Sequence, residues 1–224
     1  MVDPYMIRYY GCMLNEKKLI IVMESFGDCD LFDYINPPGG GKKTKPTANQ
    51  TLQIMAQLVE NLQTLHDHNI IHNDIKLDNI RIDTSNPDKP IAKILDYGIS
   101  CVFKPVKDPL TQKPSGANCG TCGKVGTPYY IDHEITRTKC NVINYFIADW
   151  RAMAQTFYAI IHGCFYTYRS KSPLIYDCYA KLHDPIVQMM TGSHAARMAV
   201  LGSDTREWGK LLTDHITKIL EEEN

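Results

Sequence analysis

The chain has 224 residues, 24 Lys and Arg against 25 Asp and Glu for a formal net charge of −1, and 44% hydrophobic residues. That is enough chain for one domain with a sizeable core, and the balanced charge leaves no basic footprint for nucleic acid or an anionic membrane. No apolar run approaches the roughly 18 residues of a spanning helix, and Met1-Val2-Asp3-Pro4 has neither the basic start nor the apolar segment of a signal peptide. The expected setting is therefore cytoplasmic or nuclear, with the eight cysteines as reduced thiols.

Met6 to Gly11 and Leu19 to Met23 read as two β-strands, the first rich in Ile and Tyr and the second continuously apolar, joined by turn-like Leu14-Asn15-Glu16-Lys17-Lys18. Leu31 to Ile35 opens a short helix that Pro37-Pro38-Gly39-Gly40-Gly41 must stop. The basic Lys42-Lys43-Thr44-Lys45 that follows reads as a solvated loop. Thr47 with Gln50 three residues later is a capping-box pattern, and Leu52, Met55, Leu58, Val59, Leu62 and Leu65 follow at helical spacing. Ile80-Arg81-Ile82 and Ala92-Lys93-Ile94-Leu95 flank the turn-forming stretch Thr84 to Pro90, which reads as a β-hairpin.

From Asp96 to Glu134 runs a long irregular segment with Pro105, Pro109 and Pro114, of the kind that is usually functional or mobile. Inside it Cys119-Gly120-Thr121-Cys122 has the gap of a zinc knuckle or redox pair. A tetrahedral site needs two further ligands, and with no second such pair two ordinary thiols are the expectation. Tyr145 to Gly163 is the strongest helical pattern, with Phe146, Trp150, Met153, Phe157, Ile160 and Ile161 on one broad face. Leu182 to Leu201 reads as mostly helical, and Asp204-Thr205-Arg206-Glu207 precedes a last helix through Leu211, Leu212, Ile216 and Leu220.

The chemistry concentrates in Ile70-Ile71-His72-Asn73-Asp74-Ile75-Lys76-Leu77-Asp78-Asn79-Ile80. A carboxylate, an amine two residues on and an amide five residues on sit there between apolar flanks, so a polar constellation is held on a short anchored loop. Phosphoryl transfer needs a carboxylate to orient and deprotonate the attacking hydroxyl, a cation near the transferring phosphate and oxygen ligands for magnesium. Asp74, Lys76 and Asn79 are of those types. Lys93-Ile94-Leu95-Asp96-Tyr97-Gly98 then places a second carboxylate at the end of an apolar strand, and the hairpin would present Asn79 and Asp96 side by side as ligands of one ion.

In order, spacing and type, His72-Asn73-Asp74...Asn79 and Asp96-Tyr97-Gly98 resemble the His-Arg-Asp...Asn and Asp-Phe-Gly signatures of the eukaryotic protein kinase family. Gly126-Thr127-Pro128-Tyr129-Tyr130-Ile131-Asp132-His133-Glu134 resembles that family's substrate-positioning loop ending in Ala-Pro-Glu, and Asp149-Trp150 the aspartate opening its central C-lobe helix. Lys76 and Thr127 look like the serine/threonine branch. The resemblance implies an α+β, protein kinase-like fold: a mainly helical C-terminal lobe over 31–224, a residual N-terminal β-hairpin over 1–23 and a hinge over 24–30. It implies ATP and Mg2+ as cofactors, and a protein substrate or a partner kinase as partner.

Residue by residue, the resemblance makes Asp74 and Lys76 catalytic, Asn79 and Asp96 the magnesium ligands, and Thr127 a substrate-positioning group. It puts Met23 at the gatekeeper position, Glu24 and Phe26 in the hinge that hydrogen-bonds adenine through its backbone, and Asp30 at an acidic ribose contact. Structural roles are implied for His72, Tyr97, Gly98 and Glu134, the last paired with Arg206, and for Asp149 beneath the catalytic loop. A helix N-terminal carboxylate favoured by the dipole is the other reading of Asp149.

The pattern also departs from the family. Asn73 stands where many members have an arginine that receives a loop phosphate, and an amide cannot form a charged bidentate clamp for phosphate on Thr111, Ser115 or Thr121. Arg81 stands where the family usually places an apolar floor for adenine. The glycine-rich loop and its lysine have no match before Met6, so the expectation is a domain lacking most of the N-terminal lobe. A catalytically impaired pseudokinase acting as a binding or regulatory module is the alternative. A small-molecule kinase of the choline or aminoglycoside type ranks below both, because those resemblances lack the Gly-Thr-Pro...Glu and Asp149-Trp150 features.

Overall fold

A computed structural model of the chain describes residues 6–37, 45–103, 105–107, 114–117, 125–137, 142–166, 172–202 and 204–222, without the side chains of 105–107, 114–117, 136–137, 142–143 and 206. Strands β1 (Tyr9–Leu14) and β2 (Leu19–Met23) pair antiparallel, Met13 opposite Ile20 and Cys12 opposite Ile21. The first strand starts three residues later than its Ile and Tyr content suggests. The turn is fixed by Asn15, whose Oδ1 accepts from the amides of Lys17 and Lys18 at 3.0 and 2.8 Å. Among the described residues neither strand bonds any other, and Tyr10, Met13, Leu14, Leu19, Ile21 and Met23 are all exposed.

Strand β3 (Cys29–Asp30) leads into α1 (Leu31–Ile35), capped by the Asp30 carboxylate on the Asp33 amide at 2.8 Å. Helix α2 (Ala48–Asp67) starts with the expected capping box, Thr47 and Gln50 each bonding the other's backbone amide. Its Leu52, Met55, Leu58 and Leu62 have no exposed surface, each burial contributing roughly 1.5–3 kcal/mol before chain entropy is counted. Strand β4 (Ile70–Ile71) enters the polar loop. A 3-10 turn over Leu77–Asn79 leaves it for β5 (Ile80–Asp83), which lies between β3 and β6 (Ile91–Ile94) in a three-stranded antiparallel sheet. Ile80 and Ile82 point into the core, so Arg81 and Asp83 lie on the opposite face.

Strand β7 (Cys101–Val102) returns to pair with β4, and β8 (Pro105–Lys107) pairs with β9 (Pro114–Ala117) within the segment that the sequence leaves irregular. Helix α3 (His133–Arg137) precedes α4 (Val142–His162), the central helix, where Trp150, Met153, Phe157 and Ile161 are fully buried. The expected helical stretch from Leu182 is two helices, α5 (Ala180–Met190) and α6 (His194–Leu201), the second capped by Ser193 on the Ala196 amide. Helix α7 (Thr205–Glu222) closes the domain against α2 and Trp150. At Gly209 an added Cβ would come within 3.0 Å of the indole, so only glycine permits that approach.

The architecture is the expected α+β arrangement of a mainly helical body with a small N-terminal hairpin. Two expectations are corrected. Asp149 lies in the interior of α4, well past its first turn, so the dipole reading of that carboxylate fails. Cys101 is disulfide-bonded rather than a reduced thiol. The Cys119/Cys122 pair, Thr111 and Thr121 lie outside the described residues, and the side chain of Ser115 is likewise not described. Among the described residues no helix is long and apolar enough to cross a membrane.

Candidate active site

Between β4 and β5 the chain turns through Asn73, whose φ of +66° lies in the left-handed region. Asparagine tolerates that conformation better than most side chains. The amide nitrogens of His72 and Asn73 both donate to Asp149, at 2.8 and 2.9 Å, and His66 Nε2 meets the same carboxylate at 3.1 Å. One buried carboxylate on α4 thus fixes the backbone immediately before Asp74 and ties α2 to it. The Asn73 side chain donates to Ile99 O at 2.9 Å, linking the loop to the segment after Gly98 with a neutral bond.

The Asp74 carboxylate is held on both oxygens. Oδ1 accepts from Thr127 Oγ1 at 2.5 Å; Oδ2 accepts from Lys76 Nζ and from Asn79 Nδ2, each at 2.9 Å. Lys76 also donates to Thr127 Oγ1 at 3.0 Å, and Asn79 Nδ2 to the Asp74 carbonyl at 2.9 Å. Burial works against the charged form of Asp74, but the bonds from Thr127, Lys76 and Asn79 and the Lys76 charge outweigh it and hold the carboxyl below its usual value. The group is therefore ionised near neutrality. Its basicity is modest, so what it offers a hydroxyl is an oriented acceptor and a fixed negative charge.

Below it His72 is fully buried. Its Nδ1 accepts from the Asp74 amide at 3.2 Å and its Nε2 lies 3.0 Å from Leu95 O, which fits a neutral ring with the proton on Nε2. Desolvation lowers its pKa despite the nearby charges of Asp149, Asp74 and Asp96. The ring packs 5.0 Å from Tyr97, whose hydroxyl donates to Ile94 O at 3.4 Å, a bond that a phenylalanine there would lack. Asp96 follows Leu95 with φ +64°, its Oδ1 accepting from the Gly98 amide at 3.2 Å. The Leu95 amide donates to Asn79 O at 2.7 Å, so the β5–β6 pairing brings Asn79 and Asp96 to neighbouring strand ends, with Asp74 bonded to Asn79.

Where the resemblance expects a hinge, Met23 ends β2 half-exposed, and the Glu24 amide donates to Arg8 O at 2.9 Å. Gly27, at φ +72°, lies so close to β5 that a Cβ would meet Ile82 O at 2.6 Å, which fixes this segment directly over β5. Arg81 reaches up to the carbonyls of Phe26 and Gly27, at 3.4 and 2.9 Å. Lys93, opposite Arg81 in the register, pairs with Glu24 and sits 4.4 Å from the Phe26 ring centre. Asp30 spends one carboxylate oxygen on capping α1.

Farther along, Glu134 accepts from the His194 amide at 2.9 Å, and the Arg206 side chain lies outside the described residues. The buried ion pair found there is a different one: Asp132 accepts from Arg197 Nη1 at 2.7 Å and meets His194 Nε2 at 3.0 Å. Burial raises the Asp132 pKa, and the bonds to His194 and Arg197 more than reverse this, leaving it well below the ordinary carboxylate range. Arg151 adds bonds to the carbonyls of Tyr130 and Ile131, at 2.9 and 3.1 Å. Sequence reasoning missed Asp132, Arg197, Arg151, His66 and Lys93. A charge interrupting the apolar run at Lys93 was the one legible signal.

A family model described as a protein kinase domain matches residues 1–219. The chain belongs to the protein kinase family. Among curated relatives, serine/threonine-protein kinase dst4 of Dictyostelium discoideum is 30% identical over 132 residues, 59% of this chain and 23% of that protein. CBL-interacting serine/threonine-protein kinase 1 of Arabidopsis thaliana is 24% identical over 220 residues, 93% of this chain and 45% of that one. The chain thus spans under half the length of these kinases. Among solved structures, the kinase PK-1 of Cydia pomonella granulovirus superposes with a TM-score of 0.63 at 21% identity, over 92% of this chain and 73% of that one, a likeness of fold.

Proposed function

We propose that the chain is a serine/threonine protein kinase catalytic unit that transfers the γ-phosphate of ATP to a protein hydroxyl. The reading rests above all on the Asp74 cradle, where an ionised carboxylate, an ammonium and a threonine hydroxyl meet within hydrogen-bond distance. Asp74 accepts the proton of an incoming serine or threonine hydroxyl, whose oxygen forms the new bond to phosphorus as the bond to the bridging oxygen of ADP breaks. Lys76 lies beside the transferring group and offsets its charge, and Thr127 holds Asp74 and Lys76 in register with the bound peptide. Met23, Glu24, Phe26 and Asp30 border the nucleotide's base and sugar, above Arg81.

The donor set suits a hard divalent cation. Asn79 spends its NH2 group on Asp74, which leaves its amide oxygen as the coordinating atom, and Asp96 supplies a carboxylate at the neighbouring strand end. Magnesium at such a site takes its other ligands from water and phosphate. Bound there, magnesium would neutralise charge on the phosphates. Titration of ATP with and without magnesium tests the assignment. Binding should strengthen with the metal, and Asp96→Asn should remove that gain; a variant that keeps it refutes Asp96 as a ligand.

A second reading, a kinase-like binding module acting on a partner kinase or other protein, is favoured by one observation, the exposed apolar β1–β2 hairpin. Light scattering showing a stable monomer that binds no apolar dye counts against it. No charge pattern supports a nucleic-acid or membrane partner.

A further inference from the structure

Two residues past Thr127, whose hydroxyl bonds both Asp74 and Lys76, the chain holds a large aromatic side chain out in solvent. Tyr129 has φ +72°, in the left-handed region that disfavours bulky residues, and is 68% exposed. The backbone beside it is fixed from two sides. Thr127 O accepts from the amides of Tyr130 and Ile131 at 3.1 and 2.9 Å, and Arg151 donates to the carbonyls of those same two residues. The rings form a short stack: Tyr129 lies nearly parallel to Phe165, with 5.8 Å between centres and 12° between planes, and the buried Tyr130 meets Phe165 edge-on at 5.5 Å. Phe165, in the loop after α4, packs against the main core, so the exposed ring rests on a fixed base. An aromatic ring left in water on a disfavoured backbone adds little to folding, and such outliers cluster where ligands are met.

We propose that Tyr129, backed by Phe165 and Tyr130, is a shelf on which an aromatic side chain of the substrate polypeptide stacks, close to the serine or threonine presented to Asp74. The proposal rests on the reading above, that Asp74 receives a protein hydroxyl. Two residues of chain separate the Tyr129 and Thr127 Cα atoms by at most about 7 Å, and an extended peptide advances about 3.3 Å per residue. The ring is therefore within reach of residues a few places from the acceptor. What it presents is apolar surface rather than charge. Lys76 is taken up by Asp74 and Thr127, and Arg151 by the two carbonyls. Asp78 follows Leu77, whose amide donates to the Tyr130 hydroxyl at 3.4 Å, so that carboxylate adjoins the hydroxyl end of Tyr130 rather than Tyr129. An aromatic residue is thus the expected occupant, and arginine, which stacks best with a carboxylate beside the ring, is the competitor.

Peptides with one serine in an alanine background, carrying Phe, Arg or Ala at each position within about four residues of it, probe the shelf directly. With ATP and magnesium, Phe at one position should raise kcat/KM roughly fivefold over Ala, mainly by lowering KM, and should do so more than Arg. Tyr129→Gly keeps the left-handed backbone and loses the ring, so its Phe-to-Ala ratio should fall to about one, while Tyr129→Phe should retain the native ratio. Tyr129→Asn, which also tolerates that backbone, decides the matter if the glycine variant fails to fold. Fluorescence anisotropy of labelled peptides with Ala in place of the serine, without nucleotide, separates the shelf from the chemistry. A native chain that transfers no phosphate yet binds the Phe peptide roughly fivefold more tightly than the Ala peptide keeps the shelf and loses the kinase activity. A preference for Arg, a ratio unchanged in Tyr129→Gly, or no Phe preference in either assay overturns the shelf.

Discussion

The loop around Asp74 and the hairpin β1–β2 are built on opposite principles. The loop is polar and surrounded: Asp149, His66, His72, Asn79, Lys76 and Thr127 satisfy one another across elements up to 83 residues apart in sequence. The hairpin is apolar and bare. Among the described residues its two strands bond each other alone, with Ile20, Ile21 and Val22 each more than two-fifths exposed, although isolated two-stranded hairpins are marginal in water. Geometry in this molecule is therefore set from the helical body upward, and the hairpin contributes a surface rather than a frame.

The sharpest way to break that comparison is to remove a buried charge from the helical body. Arg197→Met leaves the Asp132 carboxylate buried beside His194 without its guanidinium, and such losses cost roughly 3–5 kcal/mol. Urea denaturation should show a loss of this size; a change under about 1 kcal/mol would mean that the pair contributes no net support.

Acidification applies the same stress more gently. His72 has a folded pKa below its unfolded value of about 6.5 because burial disfavours its charged form, and Asp132 is depressed below about 3.9 by its bonds to His194 and Arg197. For each, stability is full above the unfolded value and is lost as pH falls toward the folded one. The urea midpoint should therefore fall from about pH 7.5 to about 5.5 and drop further below about pH 4; a midpoint that is flat or rising over the first interval contradicts a buried neutral His72. At the small end, Ile21→Lys on the bare hairpin should move stability by less than about 0.5 kcal/mol, and a loss several times larger would show that the hairpin's side chains pack against something.

How much of this was legible varies with distance along the chain. Asp74, Lys76 and Asn79 stand within six residues, so their convergence follows from one short loop, and the pairing of Ile80–Asp83 with Ile91–Ile94 could be read from two apolar runs around a turn. Asp149 was legible only through its resemblance, since nothing in its own helix says that its oxygens meet the amides of His72 and Asn73. Asp132 and Arg197 are 65 residues apart, and Arg197 sits in a helix whose spacing gives no hint of a buried charge. Lys93 looked like the polar tooth of a strand. Its pairing with Glu24 depends on how the hinge crosses the sheet, which no local pattern encodes. The first strand slipped by three residues because Ile and Tyr favour extended backbone on either register.

The central claim is that Asp74, held by Thr127, Lys76 and Asn79, orients a hydroxyl for phosphoryl transfer. Its most direct test is transfer of labelled γ-phosphate from ATP with magnesium to a serine- and threonine-rich protein, comparing the native chain with Asp74→Asn at matched folding. The account predicts label on serine or threonine with the native chain and a fall of roughly 10²–10⁴-fold in the variant. Equal labelling by the two chains, or none by the native one, would contradict it.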